Sequence, residues 1–413
     1  MDIWLNIFIL NKYINILMNY RKKYLKYKKK YLVAKKNLDN ENIQFGSKIN
    51  SDFDNVLTSS NNQFTIDIFN NFDGSTNIFS PISLLYSLSL IQLAADGKTD
   101  RQLTHVLEHK YTTDDLEYLS QILNGSIIKS TNMFIVNDKY HINPNYKSLI
   151  KDLIHIVNIN FKKPSTIVNK INYFVETNTN GMIKEIVNEN DIDVDTSLVL
   201  INTVYFKSQW KKKFNEKNTT KKKFHRTSDD LIDMMHQIGS FNYYENKAVQ
   251  LVEMLYSNEE YTMGIILPRL YNTDSVDYTI NNVPIFTAPE INEYINNCQY
   301  VKVDLSIPKF IQRKKYDMVT ILKKMGITHI FNENADLNIL TEKQNISKII
   351  HESVIIVDES GTEASSTTVV TGKSIMSRPS QEKPVVFIAD HPFVYYIRYI
   401  PSNLFLFFGD YQG

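Results

Sequence analysis

The sequence predicts an α+β domain, and three observations carry that reading. Strand-like and helix-like runs follow one another irregularly, without a βαβ repeat. The body has no Pro/Gly/Ser linker, low-complexity run or internal repeat, so one large mixed domain fits better than two or three small ones. The stretch 362–372 is a loop written like a strand: one charge, no proline, and mostly Ala, Ser, Thr and Val. An ordinary surface loop of that length holds more Pro, Asn, Asp and Lys.

Taken in order, residues 63–72 (Phe64, Ile66, Ile68, Phe69, Phe72) read as a first helix packing on the core. The run 81–93 is apolar nearly all round, as a buried helix is. Strands are predicted at 132–136, 198–206, 250–255, 261–267, 349–357, 385–388, 393–399 and 404–408. Helical periods at 164–187 and 316–324 lie between them. In the strand-like loop, a period of two puts Thr362, Ala364, Ser366, Thr368, Val370 and Gly372 on one face. Glu363, Ser365, Thr367, Val369, Thr371 and Lys373 form the other. Both charges fall on the second face, so the first can lie against a core without burying one.

Composition excludes several functions. Lys and Arg number 46 against 45 Asp and Glu, a net charge of +1, so no global field argues for nucleic acid or membrane. The single cysteine, Cys298, rules out an intramolecular disulfide and fits a reducing compartment. Asn124-Gly125-Ser126, Asn218-Thr219-Thr220 and Asn345-Ile346-Ser347 are glycosylation acceptors only if the chain is secreted. Abundant Asn, Lys, Ile and Tyr point to an AT-rich genome, such as that of a protist or a large DNA virus. There is no Gly-x-Ser-x-Gly elbow, His-Glu-x-x-His, phosphate-cradling glycine loop or cysteine cluster, and the 9 histidines lack ligand spacing. The sequence therefore predicts no catalytic residue, no metal and no cofactor.

Glu359-Ser360-Gly361-Thr362-Glu363-Ala364-Ser365-Ser366-Thr367-Thr368 resembles the proximal hinge of the serpins, the serine protease inhibitor superfamily. Other motifs follow in the family's order. They are Asn77-Ile78-Phe79-Ser80-Pro81-Ile82-Ser83, Ile171-Asn172-Tyr173-Phe174-Val175 with Thr179 and Gly181, and Leu200 to Lys207 through Trp210 and Phe214. Ile307-Pro308-Lys309-Phe310, Met325-Gly326-Ile327, Ala335-Asp336-Leu337, Asp390-His391-Pro392-Phe393-Val394 and Phe407-Phe408-Gly409 complete the set. The resemblance spans roughly residues 48 to 413. It implies a large central mixed or antiparallel sheet with further sheets, about nine helices, and an exposed reactive-centre loop at about 359–384.

The function it implies is suicide-substrate inhibition of a serine or cysteine protease. The loop is offered as bait, cut once, and inserted as a strand into the main sheet, dragging the covalently attached protease with it. The hinge composition suits this. Thr362 is the first side chain to turn inward, Ala364, Ser365, Ser366 and Thr367 are small, Gly361 gives a pivot, and a buried charge at Thr362 would be costly. By resemblance, Ser80, Ser83, Asn202 and His351 match the polar cluster holding the middle strands, and Trp210, Lys309 and Glu359 match the top of the sheet. Lys309 and Glu359 are expected to form a salt bridge at the hinge base.

Counting from the hinge glycine puts the scissile bond at Ile375-Met376. Counting back from Pro392 makes the loop longer than in many relatives, so Met376-Ser377 and Arg378-Pro379 stay open, with Lys373 a remote choice. Arg378 would suit a trypsin-like protease, whereas Ile375 or Met376 suits an apolar pocket. The lysines 211–213, 217 and 221–223 with Arg226 form a candidate polyanion exosite, against the simpler reading of a solvated charged loop.

Residues 1–46 lie outside the resemblance. Asn6, Asn11, Lys12, Asn15 and Asn19 interrupt the apolar start, and Asp2 is wrong for a secretory signal, so neither signal nor membrane span fits well. Tyr13, Leu17, Tyr20, Tyr24, Tyr27, Tyr31, Ala34 and Leu38 form a heptad seam with Lys and Arg outside it. Self-association or partner binding, contact with a membrane surface through 1–40, and an inert tail remain open. The domains read as 1–46, a basic extension, and 47–413, the serpin-like body. Cytoplasm or virion is favoured over secretion. The alternative function is a non-inhibitory scaffold of the same fold that docks through its N-terminal helix.

Overall fold

The computed structural model describes residues 47–72, 77–161, 164–192, 196–225, 230–269, 286–362 and 383–413. The heptad seam and the loop residues 363–382, with Ile375, Met376, Ser377 and Arg378, lie outside the described residues, as does Arg226. The chain divides into two compact units, Met1–Asn55 and Val56–Gly413. Of the first, only the helical backbone of 47–55 is described; apart from that start of the first helix, everything below concerns the second.

The first helix, Ser47–Asn70, starts well before the predicted 63–72. The polar run 59–62 reads as a breaker, yet its side chains are used inside the fold. Ser60 donates to the Leu107 carbonyl at 2.5 Å, and Asn61 accepts from Phe405 N at 2.7 Å. The helix Pro81–Gln92 has proline at its start, where a missing N–H costs nothing, and every one of its residues is buried. Its Leu and Ile side chains each contribute roughly 1.5–3 kcal/mol by leaving water.

Two helical expectations need correction. The 164–187 period is helix only over Pro164–Asn178. Asn180 and Gly181 adopt φ of 53° and 78°, which ends the helix in the left-handed region. Thr179 then ties the following turn, accepting from Ile183 N at 3.1 Å. The 316–324 period is helix only from Val319 to Lys324. Tyr316 and Asp317 end the strand Phe310–Asp317, and Tyr316 donates its hydroxyl to Asn77 at 3.2 Å.

Among the described residues there are eight α-helices and two sheets, an α+β arrangement. The nine-stranded sheet runs Ile78–Phe79, Leu404–Tyr411, Phe393–Tyr399, Tyr261–Pro268, Val249–Leu255, Asp230–Glu245, Gln299–Pro308, Val385–Ile388, with Thr220–Phe224 also on Asp230–Glu245. The seven-stranded sheet runs His155–Ile159, Ile128–Asn137, Leu198–Phe206, Lys348–Val357, Gly361–Thr362, Ser208–Gln209, with Phe310–Asp317 on the Lys348–Val357 strand. Its two central strands are parallel, pairing Lys348 with Val199 through to Val354 with Tyr205. Neither Leu198–Phe206 nor Lys348–Val357 alternates strongly in sequence, because both faces are covered. The Pro81–Gln92 helix lies on one face, and an apolar cluster with Ile167, Ile171 and Val175 of the Pro164–Asn178 helix covers the other.

Candidate functional site

The site is the place where the loop leaves the seven-stranded sheet. After Val357 the chain turns at Asp358–Ser360 and comes back antiparallel, pairing Thr362 with Val357. On its other side the same two-residue strand pairs Gly361 with Gln209 and Thr362 with Ser208. Gly361 has φ of 156°, and a Cβ there would sit 2.2 Å from the Ser208 carbonyl oxygen, so only glycine fits. Thr362 is fully buried, and its hydroxyl lies 2.7 Å from that of Tyr256. Tyr256 stacks on Trp210 with centroids 4.6 Å apart, and the Trp210 indole N–H donates to the Asp358 carbonyl at 2.8 Å. The first two residues of the loop strand thus already occupy the gap between the tops of the two central strands.

Lys309 and Glu359 hold the base of this turn, with Nζ donating to Oε2 at 2.8 Å. Thr219 donates to the other carboxylate oxygen at 2.7 Å, and Phe214 N donates to the Glu359 carbonyl at 2.9 Å. Burial pushes the Glu359 carboxyl up, but the hydrogen bonds from Lys309 and Thr219 outweigh it and leave its pKa lowered. Its bond to Glu359 raises that of Lys309 in turn.

Lower down, His351 and Asn202 face each other across the two central strands. Nδ1–H of His351 donates to Asn202 Oδ1 at 2.5 Å, and Nε2 accepts from Ser80 N at 3.0 Å. Complete burial pulls the His351 pKa down to about 3, so the ring is neutral. The Asn202 amide reaches Ser83 Oγ at 2.5 Å, Ser87 Oγ at 2.9 Å, and Asn132. The structure brings Ser83, Asn202 and His351 together; Ser80 joins through its backbone, while its own hydroxyl has no partner. Ser87, Asn132, Ser130 and Ser353 belong to the same cluster and were not anticipated. Ser87 was findable, one helical turn after Ser83.

A family model, Serpin (serine protease inhibitor), matches residues 59–412. The chain belongs to the serpins. An uncharacterised serpin-like protein of Acanthamoeba polyphaga mimivirus is 55% identical over 401 residues, covering 96% of this chain and 100% of that protein. This giant-virus relative accords with the AT-rich composition. Mouse neuroserpin is 31% identical over 376 residues, covering 84% and 89%. Among solved structures, native protease nexin-1 with heparin superposes with a TM-score of 0.75 at 26% identity, covering 86% of this chain and 99% of that one.

Serpins as a superfamily are protease inhibitors rather than enzymes, and among the described residues no group of His, Cys, Asp and Glu could hold a metal. The basic cluster of this serpin is partly compensated. Lys211 pairs with Glu259 at 2.9 Å and Lys221 with Asp233 at 3.0 Å, while Lys212, Lys213 and Lys217 are exposed. No helix among the described residues is long and apolar enough to cross a membrane.

Proposed function

We propose that this serpin traps a target protease by inserting its cleaved loop between the Leu198–Phe206 and Lys348–Val357 strands. The observation that carries the reading is one of register. Continued past Thr362, each loop residue moves one position back along both neighbouring strands. Thr368, six residues on, falls opposite His351, six before Val357, and opposite Asn202, six before Ser208. His351 and Asn202 are already partners in the closed sheet. The sheet therefore needs only to separate laterally, with no slip in register, for the strand to enter.

The same count puts Ala364, Ser366, Thr368 and Val370 on the face of the Pro81–Gln92 helix, where Ser83 and Ser87 lie, and leaves Glu363 beside Lys207. No charge enters the face covered by that helix. Fourteen residues past Gly361, Ile375 falls beyond Lys348 at the foot of the strand, on the order of 46 Å away at about 3.3 Å per residue. A protease attached there is carried the height of the sheet. Cleavage after Arg378 would leave roughly 10 Å of slack.

The chemistry is the protease's own, and the inhibitor supplies bait and the free energy of a completed sheet. Incubation with a panel of serine and cysteine proteases tests this. The expected result is an SDS-resistant covalent band and a released fragment whose sequence begins at Met376. Cleavage without any covalent band would leave the scaffold function in its place. A fragment beginning at Pro379 would move the bond to Arg378 and the target to a trypsin-like enzyme. The heparin of the protease nexin-1 complex supports a lesser proposal, that Lys212, Lys213 and Lys217 bind a polyanion by salt-sensitive attraction.

A further inference from the structure

The Pro164–Asn178 helix does not close fully onto the edge of the seven-stranded sheet. Between it and the edge strand His155–Ile159 lies a cavity of about 430 Å³. That volume falls in the range of small-molecule sites, about 300–1,000 Å³. The helix supplies Ile167, Ile171 and Phe174, spaced four and three residues apart and so on one stripe. The sheet supplies Met133, Val157 and Ile159. Met133 pairs with His155, and Val157 and Ile159 follow at the strand's period of two, so all three project from one face. Val157, Ile159 and Phe174 stay only half-buried although helix and sheet face each other here. They present apolar surface to the cavity, and an apolar ligand would remove that surface from water.

The polar groups narrow the chemistry. Lys170 also lines the cavity, one turn before Phe174 on the same side of the helix, and is exposed. It has no ion pair among the described residues. A lysine in this position lays its stem along apolar surface and keeps its ammonium at the rim. Asn158 and Asn160 form the polar lining on the strand side. From Ile167 to Phe174 the helix rises on the order of 10 Å, at about 1.5 Å per residue, which suits an extended chain rather than a compact ring. We propose that this cavity binds a small amphipathic carboxylate, with a medium-length acyl chain between helix and edge strand and its carboxylate at Lys170. A wholly apolar ligand would leave the ammonium unused, and a polyanion would leave the apolar lining uncovered. The cavity uses neither the Leu198–Phe206 nor the Lys348–Val357 strand, so the inference stands whether or not the loop inserts.

The test is isothermal titration of the full-length protein with decanoate, and with decanol as its uncharged counterpart, both below the concentrations at which they self-associate. The expected result is one site per chain, with decanoate held about two- to fivefold tighter than decanol, the advantage an exposed ion pair gives. Lys170→Gln alters an exposed side chain and should erase that difference while leaving decanol binding unchanged. Val157→Phe fills the cavity from the strand and should abolish binding of both compounds. Ile159→Phe fills it from the next position on the same face and serves if the first variant folds poorly, as its thermal midpoint will show. A parent protein that binds neither compound would overturn the site. Undiminished decanoate binding to a folded Val157→Phe or Ile159→Phe protein would overturn it too, by placing the compound elsewhere. An equal preference for decanoate in the parent and in Lys170→Gln would overturn the role of Lys170 and with it the choice of a carboxylate.

Discussion

The hydroxyls of Thr362 and Tyr256 lie 2.7 Å apart in the top of the sheet, closed off from solvent. Thr362, the first inward side chain of the hinge, is therefore already in place beside Tyr256, which stacks on Trp210. Replacing Thr362 with Arg would bury a guanidinium at this closed position, at a cost of several kcal/mol if it is left unpaired. The expected outcome is a protein still cut in the loop but giving little covalent complex on a denaturing gel. An unchanged yield of complex would exclude the hinge from the mechanism.

Nicking the loop should raise the stability of the natural protein sharply, since the inserted strand adds two ladders of backbone hydrogen bonds. Scanning calorimetry of nicked and intact samples reads this directly. Coincident transitions would show that the strand stays out.

His351 gives a pH signature. Burial lowers its folded pKa to about 3 from an ordinary 6.5, so its contribution to stability is present above 6.5 and lost as pH falls. Between pH 6.5 and 5 this one ring should remove about 1.4 kcal/mol per pH unit, roughly 2 kcal/mol in all. Unfolding midpoints across that range should fall in the natural protein and fall less steeply in His351→Gln. Parallel slopes would assign the pH dependence to other groups.

Asp410 carries the opposite sign. Burial raises its pKa from 3.8 to about 6, despite the hydrogen bond from Asn77 N at 2.8 Å. A raised carboxyl favours folding while protonated, and that contribution is lost as pH climbs through about 6. Asp410→Asn keeps an acceptor for Asn77 and removes the charge. It should stabilise the protein by about 1–3 kcal/mol at pH 8 and by little at pH 4, measured by denaturant titration at both. Equal effects at the two values would show that the gain is not electrostatic.

Deleting residues 1–45 should leave complex formation with the protease intact and alter self-association or location instead. The family match begins only at residue 59. Sedimentation and a complex-formation assay on the shortened chain check both halves. Loss of folding would move the domain boundary toward the N-terminus.

Local chemistry made much of this legible. Hinge glycine, small alternating residues and a charge-free face can be read from 361–372 without coordinates, because the proposed strand insertion would restrict each position in turn. The apolar helix Pro81–Gln92 and the strand Leu198–Phe206 were equally plain, since a fully covered element has no polar face to disguise it. The strand Asp230–Glu245 was not. Its mixed burial follows three different neighbours, and no single period describes it.

The sequence by itself determined that the chain is a serpin, that Thr362 turns inward, and that His351, Asn202 and Ser83 lie together. Only the tertiary structure decided that Gly361 and Thr362 already sit between the central strands. It alone brought Tyr256 to Thr362, and it alone set Thr203 beside Glu352. Those outcomes depend on register between strands some 150 residues apart. Pairing across such distances is fixed by the packing of whole faces, which no local pattern records.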